Sequence, residues 1–263
     1  MSSILNYLEI AITEVCNLNC KACSHFSPLA EPEDQLTLAE FQEDINRMQE
    51  LFPVIYTIRL LGGEPLLHQD VFEMARYTRK LYPKSRITIV TNGLLLPAIN
   101  DRNMYLMAEN EIEFDISLYP PTSARRDEID RKCSEHSVKH RYTDPIEIFR
   151  VRFDPTGNND SAESYRECSI GKTCTYLFKG RLSGCPAPNV VHLYNRRFGT
   201  EISGEADMIK IHETELSPDE IEKKLRNELS VCRYCAKLEE IPWSTCKEKP
   251  SAEDWIISRN KQC

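Results

Sequence analysis

The feature that most constrains the fold of this chain is a strand–helix alternation running from residue 7 to residue 142. Apolar and β-branched runs at 7–12, 54–61, 86–90, 112–118 and 138–142 read as strands. Between them lie helical stretches at 71–81, 99–109 and 123–135, and one more that begins after Thr37. There Phe41, Ile45, Met48 and Leu51 recur at helical spacing, and Thr37 with Glu40 has the form of a capping box. Strands alternating with helices imply a parallel sheet built of right-handed βαβ units. A sixth strand is expected at 149–153, which makes the fold class α/β, a partial (β/α)6 barrel of parallel strands. In such a barrel the chemistry sits at the carboxyl ends of the strands.

Four stretches fall at those ends: the loop after the first strand, and residues 62–65, 91–93 and 117–120. The first contains Cys16, Cys20 and Cys23 in CxxxCxxC spacing. Three closely spaced thiolates can hold three corners of an iron–sulfur cube and leave the fourth iron without a protein ligand. The bland alternative is part of a zinc site, with His25 as a further ligand. Gly62-Gly63 allows a sharp turn and a close approach to a ligand, or forms a plain strand-to-helix turn. Glu14 and His68 are further polar candidates near the mouth. The chain has eleven cysteines, an odd number, grouped as 16/20/23, 168/174/185 and 232/235. That grouping points to metal ligation in a reducing compartment, hence a cytoplasmic setting. Cys133, Cys246 and Cys263 are left over.

On these residues the chain resembles the radical S-adenosylmethionine (SAM) enzymes. In that family the CxxxCxxC loop follows the first barrel strand and binds a 4Fe–4S cluster whose open iron takes the amino and carboxylate groups of SAM. Gly62-Gly63-Glu64-Pro65 resembles the family's GGEP motif, which binds the methionyl amino group. The resemblance also implies that Asn92 and Ser117, polar groups at strand ends, contact the methionine and ribose parts of SAM. Turn chemistry is the alternative for both.

After residue 153 the alternation stops, and a polar, turn-rich link at 154–164 separates the barrel, 1–153, from a second region, 154–263. There Cys168, Cys174 and Cys185 surround a tight hairpin at 175–183, and Cys232 and Cys235 form a CxxC after a helix at 218–229. A hairpin with cysteines at its ends, closed by a later CxxC, can enclose one metal centre. This region resembles the C-terminal extension of SPASM and twitch radical SAM enzymes, in the shorter twitch form with one auxiliary 4Fe–4S cluster. Five cysteines compete for at most four iron corners, and the choice between Cys168 and Cys174 stays open. A structural zinc is the alternative.

The net charge of −8 argues against a broad nucleic-acid surface, and no apolar run approaches the roughly 20 residues of a membrane span. The resemblance implies a reductase partner such as flavodoxin or ferredoxin, cleavage of SAM to a 5′-deoxyadenosyl radical, and hydrogen abstraction from an unactivated C–H bond. If the auxiliary cluster accepts an electron, the outcome is dehydrogenation of a small carbohydrate-like or amino-cyclitol substrate, with Arg150 or Arg152 binding it. If a thiol returns hydrogen, the outcome is epimerisation, with Cys133 or Cys246 as donor. The alternatives are peptide modification by a radical SAM maturase and, without catalysis, a two-cluster electron carrier or sensor. A carrier has no use for the GGEP motif.

Overall fold

The computed structural model describes residues 3–256 of the chain; Cys263 lies outside them. Strands β1 (Ile4–Thr13), β2 (Val54–Gly62), β3 (Arg86–Thr91), β4 (Ile112–Ile116) and β5 (His140–Tyr142) lie side by side and parallel. The chain returns between them through α1 (Leu38–Leu51), α2 (Val71–Leu81), α3 (Asp101–Glu109), and the pair α4 (Pro120–Ser123) and α5 (Arg126–Glu135). The α1 start is the expected capping box: Thr37 accepts from the Glu40 N–H, and the Glu40 carboxylate accepts from the Thr37 N–H at 2.7 Å.

The strands alternate between two chemistries. Leu8, Ile10, Ile58, Ile87, Ile89, Phe114 and Ile116 join the helix residues Phe41, Ile45, Met74 and Met104 in one apolar core. The opposite sheet face carries charge. Arg59 reaches Glu9 at 3.3 Å and Asp115 at 3.5 Å, Arg86 reaches Glu113 at 2.8 Å, and Arg141 pairs with Asp115. These pairs place charge in the concave interior, where a closed barrel would stack apolar side chains.

The expected sixth barrel strand is a correction. β6 (Ile148–Phe153) pairs antiparallel with β10 (Cys235–Pro242) in a separate two-stranded sheet. Two physical reasons account for this. Only residues 143–147 separate β5 from β6, whereas a parallel crossover needs a dozen or more residues. The strand also leaves Ile148 and Arg150 exposed while burying Val151, a one-sided pattern that suits an antiparallel ribbon. Five parallel strands joined by four helical crossovers therefore make up the βα part of the sheet.

The sheet is extended on the other side of β1. After α6 (Ser161–Arg166), β7 (Tyr176–Phe178) pairs parallel with β1, and β8 (Arg181–Ser183) and β9 (Ile209–Lys210) follow antiparallel. The order among the described residues is β5-β4-β3-β2-β1-β7-β8-β9. Tyr176, Leu177 and Leu182 belong to the same apolar core as the barrel strands, so packing runs through the boundary at 153. Two later helices, α7 (Ala187–Phe198) and α8 (Pro218–Leu225), brace this half. Through Arg196, α7 also holds the long loop after the cysteines: its guanidinium donates to Asp34 at 2.6 Å and to the Leu29 carbonyl at 3.3 Å. No helix among the described residues is long and apolar enough to cross a membrane.

Candidate active site

The cysteine loop leaves β1 at Thr13 and winds tightly, with Asn19, Ala22 and Phe26 all in the left-handed region at φ 53. A C-terminal segment fastens it. The Lys21 N–H donates to the Ser244 carbonyl at 2.9 Å, the Ala22 N–H to the Asp254 carbonyl at 2.9 Å, and the Cys246 N–H to the Asn19 carbonyl at 2.8 Å. Two indoles add to this clamp: Trp255 donates to the Cys23 carbonyl at 3.0 Å and Trp243 to the Cys20 sulfur at 3.2 Å. The sequence gives no signal for a clamp made across more than 220 residues.

The glycine pair is required by the chain's own crowding. A Cβ on Gly62 would stand 1.9 Å from the Thr13 carbonyl oxygen, and one on Gly63 would stand 2.3 Å from that of Val15. The Gly63 N–H donates to the Thr13 carbonyl at 2.7 Å, and the Glu64 N–H to that of Val15 at 2.8 Å, so the β2 end is locked against the start of the cysteine loop. Pro65, itself buried, opens a 3-10 turn directly behind. The Glu64 side chain is fully buried and accepts from the Thr91 hydroxyl at 2.6 Å and from the backbone N–H of Asn92 at 2.7 Å and Leu66 at 3.0 Å. Burial pushes its carboxyl up to about 7, against the pull of those three bonds. Glu64 thus ties β2 to β3 and aims Asn92, whose amide donates to the Asn17 Oδ1 at 2.7 Å beside Cys16.

These elements enclose a cavity of about 340 Å³. Its walls include Cys16, Cys20 and Cys23, Gly62 and Gly63, Asn92 and Ser117, and beyond them His25, Tyr119 and Arg150. Glu64 and Pro65 stand behind the wall. Burial pushes the thiols of Cys16 and Cys20 up to about 12, and that of Cys23 up as well; charge on Cys20 and Cys23 further disfavours the Cys16 thiolate, and charge on Cys23 the Cys20 thiolate. Three neutral thiols that would repel as thiolates are suited to a cationic cluster, which would take their protons' place. Glu14 forms part of a buried chain: its carboxylate accepts from the Tyr176 hydroxyl at 2.5 Å and lies 3.0 Å from His25 Nδ1. His68 is structural, with Nε2 at 2.8 Å from the Leu36 carbonyl and Nδ1 accepting from the Asp70 N–H.

Several candidates sit elsewhere. Cys133 is fully buried in the core on α5, away from the cavity wall, because its helix turns that face to the sheet. Cys246 is buried behind the cysteine loop, where Asn19 holds its carbonyl at 3.3 Å, so it too is absent from the wall. Arg152 lies near Cys235, whose thiol its charge pulls down against the larger effect of burial, while Arg150 lines the cavity and faces Glu240 at 3.4 Å.

In the second cysteine group Cys185 is the shared neighbour of Cys168, Cys174, Cys232 and Cys235. Cys185 is disfavoured as a thiolate first by burial and then by Cys235, Cys168 and Cys232; Cys235 in turn feels Cys232 and Cys168. Their supports are specific. Asp207 accepts from the N–H groups of Ser230 and Val231 at 2.6 and 2.9 Å, capping the turn that carries Cys232. The Gly171 N–H donates to the Cys168 sulfur at 3.4 Å, and Ser164 donates to the Cys235 carbonyl at 2.5 Å. Cys174 is buried and turned toward Glu9, to which its thiol donates at 3.4 Å. Among the described residues, no three His, Cys, Asp or Glu side chains converge on one point as a single metal ion requires.

The radical SAM superfamily matches residues 10–143, half of the chain. Among curated relatives, a GTP 3′,8-cyclase of Peptoclostridium acidaminophilum is 39% identical over 35% of this chain and 28% of its own. Molybdenum cofactor biosynthesis protein 1 of Bos taurus is 32% identical over 54% of this chain and 22% of its own. The matches therefore span well under a third of those relatives' lengths. The crystal structure of BtrN in complex with AdoMet and 2-DOIA is similar across 89% of this chain and 94% of its own, at 17% identity and a TM-score of 0.54, and so shares its fold. The chain belongs to the radical SAM superfamily, whose chemistry rests on a 4Fe–4S cluster and SAM.

Proposed function

We propose that this chain is a radical SAM oxidoreductase that dehydrogenates a small carbohydrate-like or amino-cyclitol substrate. In this reading Cys16, Cys20 and Cys23 hold the SAM-binding 4Fe–4S cluster, and Cys168, Cys185, Cys232 and Cys235 hold an auxiliary one in a twitch-like region, 154–263. A bound cluster and SAM supply reductive cleavage of the sulfonium and hydrogen abstraction from an unactivated C–H bond. The chain's residues do the positioning. Gly62, Gly63, Asn92 and Ser117 line the wall beside the three thiols and would receive the methionine and ribose parts of SAM. Glu64 holds Asn92 in place, and Pro65 braces the turn behind it. Arg150 stands at the cavity and is the residue to meet substrate; Arg152, beside Cys235, belongs to the auxiliary site.

The observation that carries the reading is the second group of four thiols, a place for an electron to leave a substrate radical. A tetrahedral zinc with bonds of about 2.3 Å would hold thiolates roughly 3.8 Å apart. A four-iron cube binds each thiolate to a different iron and accepts a wider set, which suits neighbours that do not converge. Neither Cys133 nor Cys246 borders the cavity, so dehydrogenation rather than epimerisation is the reading proposed. The full-length likeness to BtrN, crystallised with AdoMet and 2-DOIA, favours a small substrate. The GTP 3′,8-cyclase likeness covers a third of the chain and keeps a nucleotide as the second reading. A cytoplasmic setting and a flavodoxin- or ferredoxin-like reductant belong to the same proposal. The test is a deuterated panel of amino-cyclitols, carbohydrates, nucleotides and peptides, offered with SAM to the anaerobically reconstituted, reduced protein. Deuterium appearing in 5′-deoxyadenosine, with a product two hydrogens poorer, from an amino-cyclitol or carbohydrate supports the proposal. Transfer only from a nucleotide or peptide contradicts it.

A further inference from the structure

Trp243 directly follows β10, the strand that starts at Cys235, and so bridges the second cysteine group and the first. Its backbone N–H donates to the Glu147 carbonyl at 2.8 Å, and its ring centroid lies 5.8 Å from that of Tyr119 on the cavity wall. Between these anchors the indole N–H is aimed at the Cys20 sulfur, 3.2 Å away. Anchoring the loop does not need this bond, because three backbone bonds to Asn19, Lys21 and Ala22 already hold it. A second side-chain N–H near a sulfur of the loop, the Asn92 amide, is 4.0 Å from Cys16 and is directed at Asn17 at 2.7 Å.

An indole nitrogen is a donor only, so this contact always sets the positive end of a dipole against the sulfur. Hydrogen bonds to cluster sulfurs and exclusion of solvent are what set iron–sulfur potentials, and Cys20 is 7% exposed. Adding an electron makes the cluster more negative, and an N–H donor stabilises that state more than the oxidised one. We propose that Trp243 is a positioning residue that raises the reduction potential of the cluster on Cys16, Cys20 and Cys23 through its N–H bond to the Cys20 sulfur. This rests on the assignment of that loop to the SAM-binding cluster.

The test is a redox titration of the full reconstituted chain by electron paramagnetic resonance, following the signal that SAM perturbs. Wild type is compared with W243F and with the protein carrying benzothienylalanine at 243, which keeps the ring's shape and lacks the N–H. Both replacements are expected to shift the midpoint to more negative potential, the isostere at wild-type iron content. A wild-type midpoint in the isostere overturns the inference whatever W243F does. A wild type with no SAM-sensitive signal overturns the cluster assignment and this inference with it; a normal wild-type signal with an unshifted isostere overturns the inference alone.

Discussion

The two cysteine groups are built in opposite ways. Cys16, Cys20 and Cys23 come from one eight-residue loop at the end of β1 and open onto a cavity of about 340 Å³. Cys168, Cys185, Cys232 and Cys235 come from three separate stretches, held by a backbone N–H at Cys168, a Ser164 bond at Cys235 and the Asp207 cap before Cys232, and none of them lines that cavity. The first group is placed by local chain geometry with its outer side clamped, so that one side stays open to a ligand. The second is assembled by tertiary structure from stretches far apart in the chain, with all four thiols partly exposed.

Breaking either group separates them most sharply. Changing Cys16, Cys20 and Cys23 to alanine is expected to abolish SAM cleavage, seen as loss of 5′-deoxyadenosine, while the metal-free protein stays folded and loses about 1–3 kcal/mol with the buried Cys20 sulfur that Trp243 bonds. Changing the four second-group cysteines should leave SAM cleavage measurable and stop product formation. Equal loss in both would merge the two roles. Next in size is Gly63→Ala, whose Cβ would meet the Val15 carbonyl oxygen at 2.3 Å. Overpacking of that kind should cost about 3 kcal/mol, read as a lower denaturation midpoint, and should displace the cysteine loop.

Glu64 tests the open site through pH. Its folded carboxyl titrates at about 7, while the unfolded one titrates near 4.3. The folded state therefore keeps a proton that the unfolded state releases between those values, so stability falls as pH rises through that window and levels off above it. Glu64→Gln should flatten the slope in a pH series of urea unfolding, while costing about 1–3 kcal/mol at low pH because an amide N–H₂ then faces the Asn92 N–H. The smallest effects sharpen the second group: Cys168→Ala should remove auxiliary iron, whereas Cys174→Ala should leave it in place. Cys133→Ala should cost about 1 kcal/mol of stability and leave product formation unchanged.

What the sequence disclosed follows the same division between local and distant. The capping box at Thr37 and Glu40, the strands β1 to β5 and the CxxxCxxC loop are specified by residues within one turn or strand of each other, and each formed as expected. Residues 149–153 are legible as a strand but not as an edge partner for β10, because pairing with a strand more than 80 residues later leaves no local mark. The proposal of Cys168 over Cys174 rests on Glu9, to which the Cys174 thiol donates across 165 residues, a contact that leaves no local mark. Helix α7 was missed although Gly199, in the left-handed region after Arg196-Arg197, is a helix-end signal; Pro186 and Pro188 masked its start. Gly62 and Gly63 are legible as a pair, but the crowding of their backbone by Thr13 and Val15 is not.

The central claim, that the chain carries two four-iron sites on separate cysteine groups, is tested most directly by iron and labile sulfide per chain after anaerobic reconstitution. The account predicts about eight irons in the wild type, and about four in each variant lacking one cysteine group. About four in the wild type, falling to none when Cys16, Cys20 and Cys23 are replaced, would contradict it and leave the second group without a cluster.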